Sequence, residues 1–252
     1  MLRRAGSAGT RLIEIIQLLG FGKGGWGATL LVAALVTLLV TLTALAIGAV
    51  LGAIVAAAKL SPARPAVMLG NLYTTVFRGV PELLVIYLVY FGGSGGVTAL
   101  GHLFGYEGFI GMPTFVAGAL AVGVISGAYQ AEVYRGAFLA VSTGEIEAAR
   151  AIGMGRWLRF RRIIMPQVLR YAVPGIGNVW QLSLKDSALV SVTGLIELMR
   201  ASEIAAGSTR NYFVFYVAGG ALYLALTLMS NQVFNRAETR VNRSFKPSVG
   251  RG

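Results

Sequence analysis

Few residues in this chain are equipped for chemistry, and they are unevenly placed. The stretch "EIEAARAIGMGRWLRFRRIIMP", Glu145 to Pro166, holds five arginines and two glutamates between apolar segments. Further on, Pro174, Asn178, Gln181 and Lys185 recur at intervals of four, three and four, which puts them on one stripe of a helix. Arg78 and Glu82 flank Pro81 and stand four apart, close enough to pair on a helical face. The single histidine, His102, reads as a loop residue, because nothing beside it completes a metal site. There is no cysteine, which excludes disulfides, thiol chemistry and cysteine-ligated metals. No G-x-x-x-x-G-K-[ST] phosphate loop occurs, so the chain has no means of its own to cradle ATP. Paired acids or a Ser/His couple inside an apolar segment would argue for an enzyme, and none is present.

The elements that position these residues are membrane spans. The chain is 56% hydrophobic and 13% charged, with a mean hydropathy of +0.70; a soluble domain carries about 25% charged residues. Uncharged runs of roughly 20 residues recur, each able to cross a ~30 Å hydrocarbon core. Composition predicts an all-α integral membrane protein in one domain, with spans near 26–58, 66–91, 109–133, 163–185 and 212–234. Between them lie a glycine-rich connection after Phe91, a polar loop over 136–162 and a basic tail over 235–252. Glycines at 118, 123, 127, 175 and 177 are expected to allow close helix packing. The net charge of +12 reflects the positive-inside bias of a protein whose solvent is membrane lipid; it does not indicate nucleic acid. Seven arginines over 135–170 and the basic tail mark the cytoplasmic side, which leaves the amino terminus outside. The short apolar face of Leu12, Ile13, Ile16 and Leu19 fits either a surface helix or a flexible arm.

Within the loop, Ser142 followed by Glu145 is a capping-box pattern for a helix start. Ala148, Ala149, Ala151 and Gly153 leave one side of that helix nearly bare, so another surface can approach its backbone. Glu145, Glu147 and Arg150 supply charges for such a contact. The segment is too polar to span a bilayer and too poor in large apolar residues to form a core. A helix offered to a groove on a partner fits it best. The stripe of Asn178, Gln181 and Lys185 cannot face lipid. It either lines a polar path or hydrogen-bonds to a neighbouring helix. For Arg78 and Glu82 the choice is a kinked intramembrane pair, or a span that begins near Pro81 with both charges at the interface.

Glu147-Ala148-Ala149, three residues, Gly153, nine residues, then Ile163-x-Met165-Pro166 resembles the EAA signature of permease subunits in bacterial ABC importers. Met165 replaces the family's leucine, a volume-conserving change. "FRGVPELLVIYLVYFG", "GAYQAEVYRGAFLAVSTGEIEAARAIGM" and "RYAVPGIGNVWQLSLKDSALVSVTGLIELMR" extend the likeness to the polar amino acid branch, nearest the Q-type subunits for histidine/lysine/arginine/ornithine and for octopine/nopaline. The resemblance implies five transmembrane helices of the type I importer permease fold, in the bacterial cytoplasmic (inner) membrane. It implies a coupling helix between the third and fourth spans, with Glu145, Glu147, Ala148, Ala149, Arg150, Gly153 and Pro166 as coupling residues. The implied partners are a second permease, sister or self, a dimer of ATP-binding subunits and an extracytoplasmic solute-binding protein. ATP and Mg would sit on the ATPase, and this chain would bind no cofactor. The rival is an ion-coupled secondary transporter, which needs acids deep in the spans; only Glu82 is a candidate.

Overall fold

The structure, a computed structural model, describes residues 13–242. Arg3, Arg4, Arg11 and Leu12 lie outside it, as do Arg243, Lys246 and Arg251. All regular structure among the described residues is helical. α1 spans Gly27–Lys59 and α2 Arg64–Gly79. α3 covers Glu82–Leu103 and includes one π-helical turn, Leu88–Gly92. α4 runs Thr114–Leu139, and the short α5 is Thr143–Ala151. A turn of helix at Arg156–Arg159 and a π-helical turn at Phe160–Ile164 lead into α6, Met165–Asp186. A 3-10 stretch, Ser187–Thr193, then separates α6 from α7, Leu198–Thr209, and α8 is Tyr212–Asn242. Four helices, α1, α3, α4 and α8, are long and apolar enough to cross a membrane. α6 has the length but carries the polar stripe.

Small residues set the centre of the bundle. On α1, Ala44, Gly48, Gly52 and Ala56 recur every fourth residue and are buried. On α4, Gly123, Gly127 and Ala131 do the same. The two faces meet so closely that a Cβ at Gly52 would fall 3.0 Å from the Ala131 nitrogen. Bundles that lack a hydrophobic drive between helices are held by such backbone approach and by interhelical hydrogen bonds. Gln130 supplies the bond: its Nε2 donates to the Leu45 carbonyl of α1 at 3.1 Å. Ser126 Oγ accepts from the same nitrogen, and Tyr134 Oη donates to Gln130 Oε1. Lys59, at the end of α1, closes the seam by pairing with Glu132 of α4. Index rises with index along this contact, so α1 and α4 are parallel.

A parallel pair needs a return between its members, and α2 with α3 supplies it. The expected span over 66–91 is instead two helices, broken at Val80 and Pro81, both in extended backbone. A proline disfavours helix at the residue before it, which explains the break. Arg78 does not pair with Glu82 across it; its guanidinium lies 5.4 Å from the centroid of the Tyr129 ring. The expected glycine-rich connection is also helical as far as Leu103. Here tertiary contact overrides the weak helix propensity of glycine. The returning segment packs on α3, with Met112 N donating to Ser94 Oγ and Ile110 N to Thr98 Oγ1, both at 3.0 Å. Side chains at Gly93 and Gly101 would collide with Met112 and Ile110. His102 is therefore a helix residue, within 3.1 Å of the Gly108 carbonyl.

The later helices alternate. α6 is antiparallel to α4, with Gly175 against Val133 and Gly118 against Val190. α8 returns along α6, with Phe234 against Gly177 and Asn242 bonded to Arg170. The chain thus traverses the bundle five times. α4 continues six residues past the expected 133, and α8 takes in Arg236 and Arg240 of the basic tail. At the amino-terminal side, residues 13–19 are helical. Leu18 and Leu19 pack on the core while Ile13 and Ile16 remain exposed.

α7 was not anticipated, and neither was the residue that starts it. Glu197 is fully buried. Its carboxylate caps α7 by accepting from the Met199 and Arg200 amides, both at 2.9 Å. It also accepts from Thr37 Oγ1 of α1 and Tyr223 Oη of α8. One side chain thereby ties three helices. Removing it orphans several buried donors, each worth roughly 1–3 kcal/mol. Glu197→Ala should lower the thermal midpoint of the purified protein markedly, and Glu197→Gln less, because the amide oxygen still accepts. Equal stability of Glu197→Ala and wild type would refute this role.

Candidate functional site

The loop between α4 and α6 folds for local reasons. Ser142 stands at the N-cap in extended backbone, but its hydroxyl makes no capping bond. The expected capping box does not form, because Glu145 reaches Gln167 of α6 instead. That contact spends the N3 carboxylate on fixing α5 against the membrane helix that follows. At the other end, Gly153 adopts φ +78°, in the left-handed region. Its N–H donates to the Arg150 carbonyl at 2.9 Å, and Met154 N–H to the Ala149 carbonyl at 3.0 Å. This double closure is a Schellman motif, which only glycine enters without strain. A Cβ at Gly153 would meet nothing within 4 Å of this chain. Space on its own chain is therefore not what requires glycine here; backbone conformation is.

The exposed face of α5 differs from the expected one by a single residue. Glu145, Glu147, Ala148, Arg150 and Ala151 are exposed, whereas Ala149 is buried against its own chain. Ala149 therefore holds the helix in place and is not offered outward. Ile152 is 78% exposed and Trp157 71% exposed. Sequence reasoning passed over both. The signal available was a large apolar residue inside an otherwise polar loop. Pro166 directly follows the π-helical turn Phe160–Ile164, a local widening of the helix that goes with its missing N–H.

An ionic cluster joins the end of α1 to α2 and α4. Lys59, with its side chain 8% exposed, pairs with Glu132 and donates to Thr74 Oγ1 at 2.9 Å. Glu132 also accepts from Arg135 Nε at 3.1 Å. The arrangement ties these three helices together.

The stripe on α6 divides. Gln181 Nε2 donates to Asn231 Oδ1 of α8 at 2.7 Å, so this member bonds within the chain. Asn178 and Lys185 are exposed. Lys185 borders a cavity of about 480 Å³ between α6, α7 and α8, walled by Tyr216, Tyr223 and Thr227 among others. Among the described residues no group of three His, Cys, Asp or Glu side chains converges to hold a metal.

The helical bundle with four helices apolar enough to cross a membrane and a short polar helix between α4 and α6 is the architecture of a membrane permease, as the comparisons with known proteins show. A profile described as "Binding-protein-dependent transport system inner membrane component" matches residues 48–243, and the chain belongs to that family. It is 54% identical to the octopine transport system permease protein OccQ of Rhizobium radiobacter, over 94% of this chain and 100% of that protein. Against the nopaline transport system permease protein NocQ of Agrobacterium fabrum the identity is 48%, over 92% of this chain and 98% of NocQ. Against the histidine/lysine/arginine/ornithine permease HisQ of Escherichia coli it is 40%, over 88% and 97%. A crystal structure of an amino acid ABC transporter with histidines superposes with TM-score 0.72 at 32% identity, covering 85% of this chain and 95% of that one. The methionine transporter MetNI, at 18% identity and TM-score 0.69, shares the fold. This is an inner-membrane permease subunit of an ABC importer, and membership in the family leaves no place for the ion-coupled alternative.

The geometry of Gly153 generates a discriminating test. If its backbone conformation is what matters, Gly153→Asn should keep most uptake, because asparagine tolerates the left-handed region. Gly153→Ala should lose more, at a strain of roughly 1–2 kcal/mol. Uptake measured in vesicles beside recovery of the ATPase checks this. Equal failure of both variants would show that a partner's surface, not φ, excludes any side chain there.

Proposed function

We propose that this chain moves polar, basic amino acids or related opines inward, driven through α5 by a separate dimer of ATP-binding subunits. The observation that carries the reading is α5 itself: a short helix closed by a Schellman glycine, exposing Glu147, Ala148 and Arg150 on one side. Such a helix suits a cleft on a partner, and nucleotide-driven motion entering there would pass through Glu145 and Gln167 into α6. ATP and Mg belong to the ATPase, and this chain binds no cofactor. A second permease, sister or self, stands beside it, and an extracytoplasmic binding protein delivers solute. The relatives named for octopine, nopaline and the basic amino acids support the solute class.

Each of the five traverses of the bundle is a membrane crossing in this reading, with α6 crossing despite its polar stripe. The α5 end is cytoplasmic and the amino terminus outside, because the arginines between Arg135 and Arg170 gather at that end. Asn178 and Lys185 face the solute path, where a cation can hold a solute carboxylate. Gln181 instead holds α6 to α8.

Two experiments test this. The chain has no cysteine to confuse labelling, so Ser142→Cys should react with impermeant thiol reagents only from the cytoplasm and Glu107→Cys only from outside. Reaction of both from one face would remove the five-crossing topology. Lys185→Met should change which solutes are taken up while the complex still co-purifies. Gln181→Leu should instead lower stability, through the lost Asn231 bond. Unchanged solute preference in Lys185→Met would take Lys185 off the path.

A further inference from the structure

A groove of about 580 Å³ runs between α1 and α6 on the outside of the bundle, with Tyr134 and Phe138 of α4 also in its wall. On α1 it is lined by Ala49, Ala53, Ala56 and Leu60, and at its mouth by Phe160 and Met165. From Ala49 to Leu60 the wall rises ~17 Å at ~1.5 Å per residue. That is close to half of a ~30 Å hydrocarbon core, the depth of a single leaflet. A helix of a neighbouring subunit would cross the full core and overrun such a groove, whereas a lipid tail ends within it.

The helical turns that carry Phe160 are basic and aromatic. Arg161 and Arg162 follow Phe160 in the same π-helical turn and are exposed, as is Arg156. No carboxylate among the described residues forms an ion pair with any of the three; the ion pairs present involve Lys59, Arg135 and Arg200. Trp157 stacks on Phe160, with ring centroids 6.0 Å apart and planes inclined by 25°. Aromatic rings at headgroup level and clustered arginines just beyond a span are the chemistry of an anionic-lipid contact. We infer that this groove binds an anionic phospholipid of the leaflet on the α5 side. One acyl chain lies along the alanine wall, and Arg161 and Arg162 hold the phosphate. The site rests on the membrane position of the chain alone and does not depend on α5 docking to an ATPase.

The test uses the full chain purified in detergent and native mass spectrometry, with phosphatidylglycerol and phosphatidylcholine of identical acyl chains as probes. Wild type should retain phosphatidylglycerol in preference. Arg161→Gln with Arg162→Gln should weaken that retention about fivefold for each arginine removed and leave phosphatidylcholine unchanged. Ala53→Trp, at an exposed position that fills the groove, should reduce both lipids. Equal retention of the two lipids by wild type would overturn the site. So would a preference that survives loss of both arginines, or full binding in Ala53→Trp. Displacement of the lipid by co-expressed permease subunits would show that the groove is a subunit interface, and loss of ATPase recovery alone in the arginine variant would assign those charges to the ATPase.

Discussion

The close approach of α1 to α4 is the contact on which the other helices depend. Gly48 and Gly52 let the α1 backbone come within van der Waals reach of the α4 backbone, and Gln130 bonds across the gap. In lipid, apolar side chains gain little by leaving one greasy surface for another, so close packing and polar bonds must do the work. Because these two helices are parallel, the chain between them has to cross back, and it does so in two pieces broken at Pro81. Everything after α4 then stacks on this pair: α6 on Val133 of α4, α7 on Thr37 of α1, α8 on α6 and α7. A larger residue at Gly52 would press on the Ala131 and Gly127 backbone and separate the parallel pair.

Two polar devices transmit that order to the ends. Glu197 gathers α1, α7 and α8 in the interior, using every bond its carboxylate can accept there. Lys59 and Glu132 lock the seam at the carboxyl end of α1. α5 is then attached to this rigid body at one end by Glu145 on Gln167 and set in direction by the turn at Gly153. A push on α5 therefore acts on α6, the helix that carries Asn178 and Lys185. In the proposed reading, this is a mechanical route from a partner docked on α5 to the exposed Asn178 and Lys185, along one helix.

Much of this was legible in the residues. Apolar run length pointed to the long helices, and the stretch from Ser142 to Gly153 read as a helix, as the Thr143–Ala151 helix is. The misreadings share a physical cause: contacts that local pattern does not encode. Glycine at 93 and 101 reads as loop from propensity, yet here it makes room for Met112 and Ile110 on a helix. Ser142 and Glu145 read as a capping box, but Gln167, twenty-two residues on, takes the carboxylate. Ala149 reads as part of a bare outward face, and only the packing reveals that it points inward. Glu197, within an unremarked segment, could not be recognised as a core acid because its partners Thr37 and Tyr223 are distant in sequence. For Gln181 the residues left open a polar path or a bond to a neighbouring helix, and its partner Asn231 lies fifty residues on, in α8.

The most direct test of coupling through α5 is site-specific photocrosslinking in the intact complex. A photoreactive residue is placed in turn at Ala148, Ala151 and Ala149. Ala148 and Ala151 are exposed and Ala149 is buried, so crosslinks to the ATP-binding subunit should form from the first two and be absent or weak from the third. Strong crosslinking from Ala149, or none from Ala148 and Ala151 in a complex that still hydrolyses ATP and transports, would contradict the account.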